Sequence, residues 1–187
     1  MIKRTFDLIL AIGLIVFLGM PMLLIALFIK LRSPGPVIFW TDRVGVNNTI
    51  FKMAKFRTMK TDTPQMATHL MKDPCAYLIN GGAFLRKSSL DELPQLFNVL
   101  KGEMSFVGPR PALFNQDDLV TLRTQRGVHK LIPGITGWAQ VNGRDDLPIP
   151  VKVSFDEYYL HHHSLGLDLY IFFLTLFKVL KKEGVSH

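Results

Sequence analysis

Residues 6–29 read FDLILAIGLIVFLGMPMLLIALFI, an apolar run in which Asp7 is the only charge. Lys3 and Arg4 precede it, and Lys30 and Arg32 follow it. About 20 apolar residues suffice to cross a bilayer, so the run is long enough. Lys and Arg are retained on the cytoplasmic side, and both ends carry them. Pro21 stands near the middle, where it removes a backbone hydrogen bond and kinks a helix. Together these features predict a re-entrant helix that enters the membrane, bends at Met20–Pro21 and leaves by the same face. A cleaved signal peptide would have a shorter apolar stretch ending at a small-residue site. A single-pass helix is the competing reading, because prolines occur within spanning helices. Residues 1–32 are thus read as a membrane anchor and 33–187 as a cytoplasmic, membrane-associated domain.

The chain has 187 residues, enough for one core beside the anchor. Its net charge is +7 and 48% of its residues are apolar. A basic balance suits nucleic acid, anionic lipid or phosphate-bearing substrates, and the membrane segment moves the last two ahead. Cys75 is the single cysteine, so no internal disulfide forms, which fits a reducing compartment. The sequon Asn47-Asn48-Thr49 is a chance match on a cytoplasmic domain.

Working outward, Ser33-Pro34-Gly35-Pro36 is a turn that ends the anchor. VIFWT (37–41) and IFKMAKF (50–56) read as the strands of a β-hairpin around Gly45, Asn47 and Asn48. Lys55 and Arg57, two apart, share a face. SSLDELPQLFNVL (88–100) reads as a helix whose capping box is Ser89 with Glu92. Its apolar stripe is Leu93, Leu96, Phe97 and Leu100, and Gly102 stops it. SFVGPRP (105–111) holds Arg110 between two prolines, 112–132 read as helical, and PGITGWAQVNGRDD (133–146) reads as an ordered loop. Residues 151–163 read as a helix; 167–182 are apolar nearly all round but only about 24 Å long as a helix. That segment suits an interfacial or core-buried helix with Lys178, Lys181 and Lys182 reaching for head groups. The expected class is α+β and mostly helical: a re-entrant helix kinked at Pro21, a small β-hairpin and amphipathic interfacial helices.

Asp91-Glu92 in the first helical turn has a plain structural reading, since acids there meet the helix dipole favourably. The same dipole would keep a carboxylate ionised as a nucleophile and offer N–H groups to a phosphate. A carboxylate can attack phosphorus, and its neighbour can share Mg²⁺ with phosphate oxygens and water. Lys55, Arg57, Arg86, Arg110 and Arg144 are the candidate phosphate-binding cations. Arg110 stands out because a solvent-facing arginine needs no proline on each side. His161-His162-His163 lacks the i, i+3 or i+4 spacing of a zinc site. Trp40 and Trp138 are read as core or interface anchors.

These residues assembled, the chain resembles the bacterial sugar transferases, the monotopic phosphoglycosyl transferases. The segments that carry the likeness are KFRTM (55–59), SLDELPQLFNVLKGEMSFVGPRP (89–111), PGITGWAQVNGR (133–144) and FDEYY (155–159), in matching order and spacing. Met20 stands before Pro21 where that family often has Ser. The resemblance implies a minimal catalytic form in the bacterial inner membrane with its domain on the cytoplasmic face. It implies transfer of sugar-1-phosphate from a UDP-sugar to polyprenyl (undecaprenyl) phosphate, releasing UMP, as the first membrane step of glycan assembly. By that analogy Asp91 is the nucleophile that becomes an aspartyl-phosphosugar, and Glu92 positions Mg²⁺. Arg110 clamps a phosphate, with Lys55, Arg57, Arg86, Arg144 and Asp156 as further substrate contacts. Membrane lipids are partners, nucleic acid is not, and a homodimer is left open. The alternatives are a non-enzymatic basic module at the membrane surface and a membrane-tethered phosphatase.

Overall fold

The computed structural model describes residues 2–63, 73–143 and 147–181. Its first element is helix α1, Ile2–Arg32, which contains Pro21. The backbone stays helical through Met20 and Pro21, so no break in the helix marks the predicted bend. One face of α1 is turned to the rest of the molecule, with Asp7, Ala11 and Ile29 buried. The opposite face leaves Ile9, Ile12, Val16, Phe17, Met20, Leu23, Leu24 and Leu27 exposed. So large an apolar surface left open marks an interaction with something other than water.

Both ends of α1 are tied to the same body. At the start, Arg4 donates from Nη1 to the Val99 carbonyl (2.6 Å) and from Nη2 to that of Leu100 (2.8 Å). Lys3 Nζ meets Asp168 Oδ2 at 2.6 Å, and Asp7 accepts from the Phe106 amide at 3.2 Å. At the far end Ile29 is buried in a cluster with Phe56, Ile79 and Leu85. There Arg57 donates to the Ser33 and Pro34 carbonyls just past α1 (3.0 and 2.7 Å).

The predicted hairpin is present and longer than expected in its first strand. β1 (Ile38–Val44) pairs antiparallel with β2 (Ile50–Phe56), from Ile38 opposite Phe56 to Val44 opposite Ile50. Asn47 and Asn48 take positive φ (53° and 60°) in the connection, as asparagine does most readily after glycine. Past α2 (Gly82–Lys87), the region read as one capped helix divides in two. Leu90–Glu92 is a single 3₁₀ turn, and α3 runs Gln95–Lys101. The capping box does not form: Ser89 sits at φ 56° and its side chain caps nothing. Pro94 instead precedes the helix, and its fixed φ suits that place. Gly102, at φ 88°, ends α3 as expected. In the expected stripe Phe97 points outward, whereas Asn98 is fully buried.

β3 (Ser105–Val107) pairs in parallel with β4 (Gly134–Thr136), a sheet that reading 133–146 as a loop missed. Its glycines serve backbone packing. A Cβ on Gly134 would lie 2.1 Å from the Gly108 amide nitrogen, and one on Gly137 would lie 2.1 Å from the Gly108 carbonyl oxygen. α5 (Trp138–Val141) follows directly. α4 (Asp117–Gln125) and a 3₁₀ turn, Val128–Lys130, fill the stretch read as helical.

α6 (Ile149–His162) and α7 (Leu165–Lys181) complete the described chain. α7 buries Asp168 and Ile171 and leaves Leu169, Tyr170, Phe173 and Leu176 exposed. Lys178 does not reach away from the domain; its Nζ donates to the Val141 carbonyl at 2.5 Å. Lys182 and the Lys181 side chain lie outside the described residues. The main core joins Ala11 of α1, Phe51 and Met53 of β2, Leu96 and Val99 of α3, Phe106 and Val107 of β3, Tyr159 and Ile171. α1 is thus part of the hydrophobic core.

Candidate active site

The 3₁₀ turn Leu90–Glu92 carries Asp91 and Glu92 against the end of β2. Asn98 sets that alignment. Its Oδ1 accepts from the Ala54 amide (3.0 Å), and its Nδ2 donates to the Lys52 carbonyl (2.8 Å) and Glu103 Oε2 (2.7 Å). A side chain on α3 thereby holds the β2 backbone one residue before Lys55. Lys55 Nζ then meets Glu92 Oε1 at 2.7 Å and lies 4.0 Å from Asp91 Oδ2. Arg110 Nη2 approaches the same Glu92 oxygen at 3.5 Å. Arg86 bears electrostatically on Asp91.

The two carboxylates differ in kind. Burial pushes Asp91 up to about 6; Lys55 and Arg86 pull it down, and Glu92 adds to the rise. Burial also opposes ionisation of Glu92, but Lys55 and Arg110 outweigh it and hold that carboxyl down at about 2. The expectation that a helix start would depress Asp91 is therefore reversed. The turn lies ahead of α3 rather than within its first turn, and desolvation exceeds the cationic pull. A carboxylate with a raised pKa is the better base and nucleophile when ionised.

Of the sequence candidates, the structure gathers Asp91, Glu92, Lys55, Arg86 and Arg110. Arg57 is elsewhere engaged, since it is buried and donates to the carbonyls that follow α1. Asp156 is buried at 1% exposure and its Oδ2 accepts from Arg123 Nε (3.0 Å) and Nη2 (2.6 Å). Burial pushes the Asp156 carboxyl up against the pull of Arg123. Arg144 lies outside the described residues. His162 stacks on Tyr158 with ring centres 4.1 Å apart, and Tyr158 on Trp138 at 5.8 Å, so Trp138 is an anchor of this layer. Trp40 is half exposed, with Lys101 over its ring. Two residues escaped the sequence reading: Asn98, hidden among apolar neighbours, and Arg123, whose acidic partner stands 33 positions away.

Asp91 and Glu92 are the residues that could hold a divalent cation. Mg²⁺ commonly takes one or two carboxylates and fills its shell with phosphate oxygens and water. Among the described residues no group of three His, Cys, Asp or Glu gathers, so other ligands would come from substrate and solvent.

The chain is 42% identical over 185 residues to the uncharacterized sugar transferase EpsL of Bacillus subtilis, covering 99% of this chain and 90% of that one. It is 41% identical over 187 residues to the UDP-glucose:undecaprenyl-phosphate glucose-1-phosphate transferase of Escherichia coli, covering 95% of this chain but only 40% of that protein. It is 39% identical over 188 residues to the UDP-N-acetylgalactosamine-undecaprenyl-phosphate N-acetylgalactosaminephosphotransferase of Aeromonas hydrophila, covering 98% of this chain and 44% of that one. The family described as bacterial sugar transferase matches residues 1–182. With its whole described length inside that match, the chain belongs to the bacterial sugar transferase family.

Proposed function

We propose that this protein transfers sugar-1-phosphate from a UDP-sugar to undecaprenyl phosphate, giving undecaprenyl diphosphate sugar and UMP. The observation that carries this reading is the buried Asp91, raised to about 6 and standing beside an ionised Glu92 within a rim of Lys55, Arg86 and Arg110. Phosphoryl transfer asks for positioning and charge neutralisation more than for elaborate covalent chemistry. The names of the Escherichia coli and Aeromonas hydrophila relatives support the substrate pair.

In the first half-reaction an ionised Asp91 oxygen attacks the sugar-bearing phosphorus. The bond to the bridging oxygen breaks, and UMP leaves with its electron pair. In the second, a phosphate oxygen of the lipid attacks the same phosphorus and returns Asp91 as a free carboxylate. Lys55 and Arg110 hold Glu92 ionised, and the cation rim meets charge developing on the phosphate oxygens. Mg²⁺, which Glu92 would hold, would supply further charge neutralisation on the diphosphate.

The anchor belongs to the same reading. Both ends of α1 stay at the cytoplasmic face, with its exposed apolar face in one leaflet. Support comes from the two basic ends being seated on one domain, because a helix crossing to the far side holds only one end there. The site then sits at the cytoplasmic surface of the inner membrane, where a lipid phosphate and a soluble nucleotide both arrive.

The test uses the full chain in lipid nanodiscs with undecaprenyl phosphate and a panel of UDP-glucose, UDP-galactose and UDP-N-acetylgalactosamine. UMP release that stops with EDTA and returns with Mg²⁺ is the expected result. Label from a radioactive donor should stay on the protein when lipid is withheld, and should not do so in Asp91→Asn. Release of inorganic phosphate in place of UMP, or full turnover by Asp91→Asn, would overturn the assignment.

A further inference from the structure

The segment Pro109-Arg110-Pro111-Ala112 has two residues without an N–H, so it cannot hold itself by a regular hydrogen-bond ladder. Its four carbonyls are held from outside, each by a different group. Pro109 accepts from the Gly134 amide at 2.9 Å and Ala112 from the Val44 amide at 3.0 Å. Pro111 accepts from Arg43 Nη1 at 3.2 Å. The Arg110 carbonyl accepts from Arg123 Nη1 at 2.8 Å. Arg123 is itself buried, and its Nε and Nη2 are both taken by the Asp156 carboxylate. A guanidinium has donors in a planar fork, so orienting two of its nitrogens on a buried carboxylate oxygen orients the third nitrogen as well.

We infer that Arg123, oriented by Asp156, is the positioning residue that aims Arg110 at the acidic pair. This deepens the transferase reading and rests on it. Prolines restrict the backbone on either side of Arg110, and Arg123 supplies the restraint at Arg110 itself. The chain of contacts then runs from α6 through α4 to the segment that carries Arg110, and ends where Arg110 meets Glu92. Lysine cannot replace Arg123, because an ammonium lacks the planar fork that serves the carboxylate and the carbonyl together. Asp156 has its role here through Arg123 and not through contact with substrate.

The experiment is a double-mutant cycle on the full chain in nanodiscs, using whichever of the three UDP-sugars the wild type turns over fastest. Arg123→Lys should lower kcat about tenfold or more in the wild-type background. In an Arg110→Ala background the same exchange should change kcat less than twofold. The loss of thermal stability from Arg123→Lys should be equal in both backgrounds, which separates aim from folding. Should Arg123→Lys fail to fold, Asp156→Asn takes its place in the same cycle with the same expected pattern. An equal fold loss of kcat in both backgrounds would overturn the inference and leave the transferase reading standing. Absence of UMP from all three donors in the wild type would remove that reading and the inference together.

Discussion

At Asp91 the competing effects are burial and neighbouring charge, and burial prevails, raising the carboxyl to about 6. A nucleophile must be ionised, so kcat/KM of the transfer reaction should fall about tenfold per pH unit below about 6. A pH–rate profile checks this, and a flat profile down to pH 5 would remove Asp91 as the titrating nucleophile. The same shift bears on stability. A carboxyl whose folded pKa lies above its unfolded value of 3.8 binds its proton more tightly in the folded state. That contribution is complete below 3.8 and is lost as pH rises through about 6. Asp91→Asn keeps the shape without the charge, so it should stabilise the fold by up to about 3 kcal/mol at pH 8 and by little at pH 4. Chemical denaturation at the two pH values measures the difference. A stabilised yet inactive variant fits a site whose function costs stability. The acidic dipeptide was plain in the sequence, but its raised pKa was not, because desolvation depends on what folds over it.

Among the elements, β2 and α3 are registered by one buried amide. Asn98 makes three hydrogen bonds, two of them to the β2 backbone, and has no solvent exposure. Asn98→Ala leaves buried partners unpaired and should cost about 2–4 kcal/mol, read as a shift in the urea midpoint. It should also lower turnover, because Lys55 loses its alignment with Glu92. Asn98→Asp restores the shape but not the donor, and should rescue neither property. Arg57 gives the opposite pattern. Its guanidinium holds the carbonyls that follow α1, so Arg57→Ala should lower stability by about 2–4 kcal/mol with kcat of the folded fraction kept within about threefold. A kcat loss of a hundredfold with unchanged stability would restore it as a substrate ligand. Periodicity found the β-hairpin and several helices because alternating and 3.6-residue patterns are local. It placed Phe97 inside and missed Asn98 because a polar residue satisfied by a distant strand leaves no local trace.

The whole molecule is organised around α1, whose two ends are tied down by Arg4 and Asp7 on one side and by Ile29 on the other. In a Cys75→Ser background, Thr5→Cys and Lys30→Cys should both react with an impermeant maleimide from the cytoplasmic side of oriented vesicles. Phe17→Cys should be protected from either side. Labelling of Thr5→Cys and Lys30→Cys from opposite sides would replace the proposed re-entrant anchor with a spanning one.

The sequence by itself determined the apolar anchor with basic ends, the hairpin, the helix stop at Gly102 and the residue types able to handle a phosphate. Each follows from composition or from spacing within a few residues, where chain geometry is nearly independent of the rest of the fold. Only the tertiary structure decided which cations meet Asp91 and Glu92 and which, like Arg57, are spent on backbone carbonyls. It alone pairs β3 with β4, seats both ends of α1 on one domain and joins Asp156 through Arg123 to Arg110. The hydrogen bonds and ion pairs among them link positions 13 to 165 residues apart, and their energies come from burial and charge geometry that exist only once the chain has closed on itself.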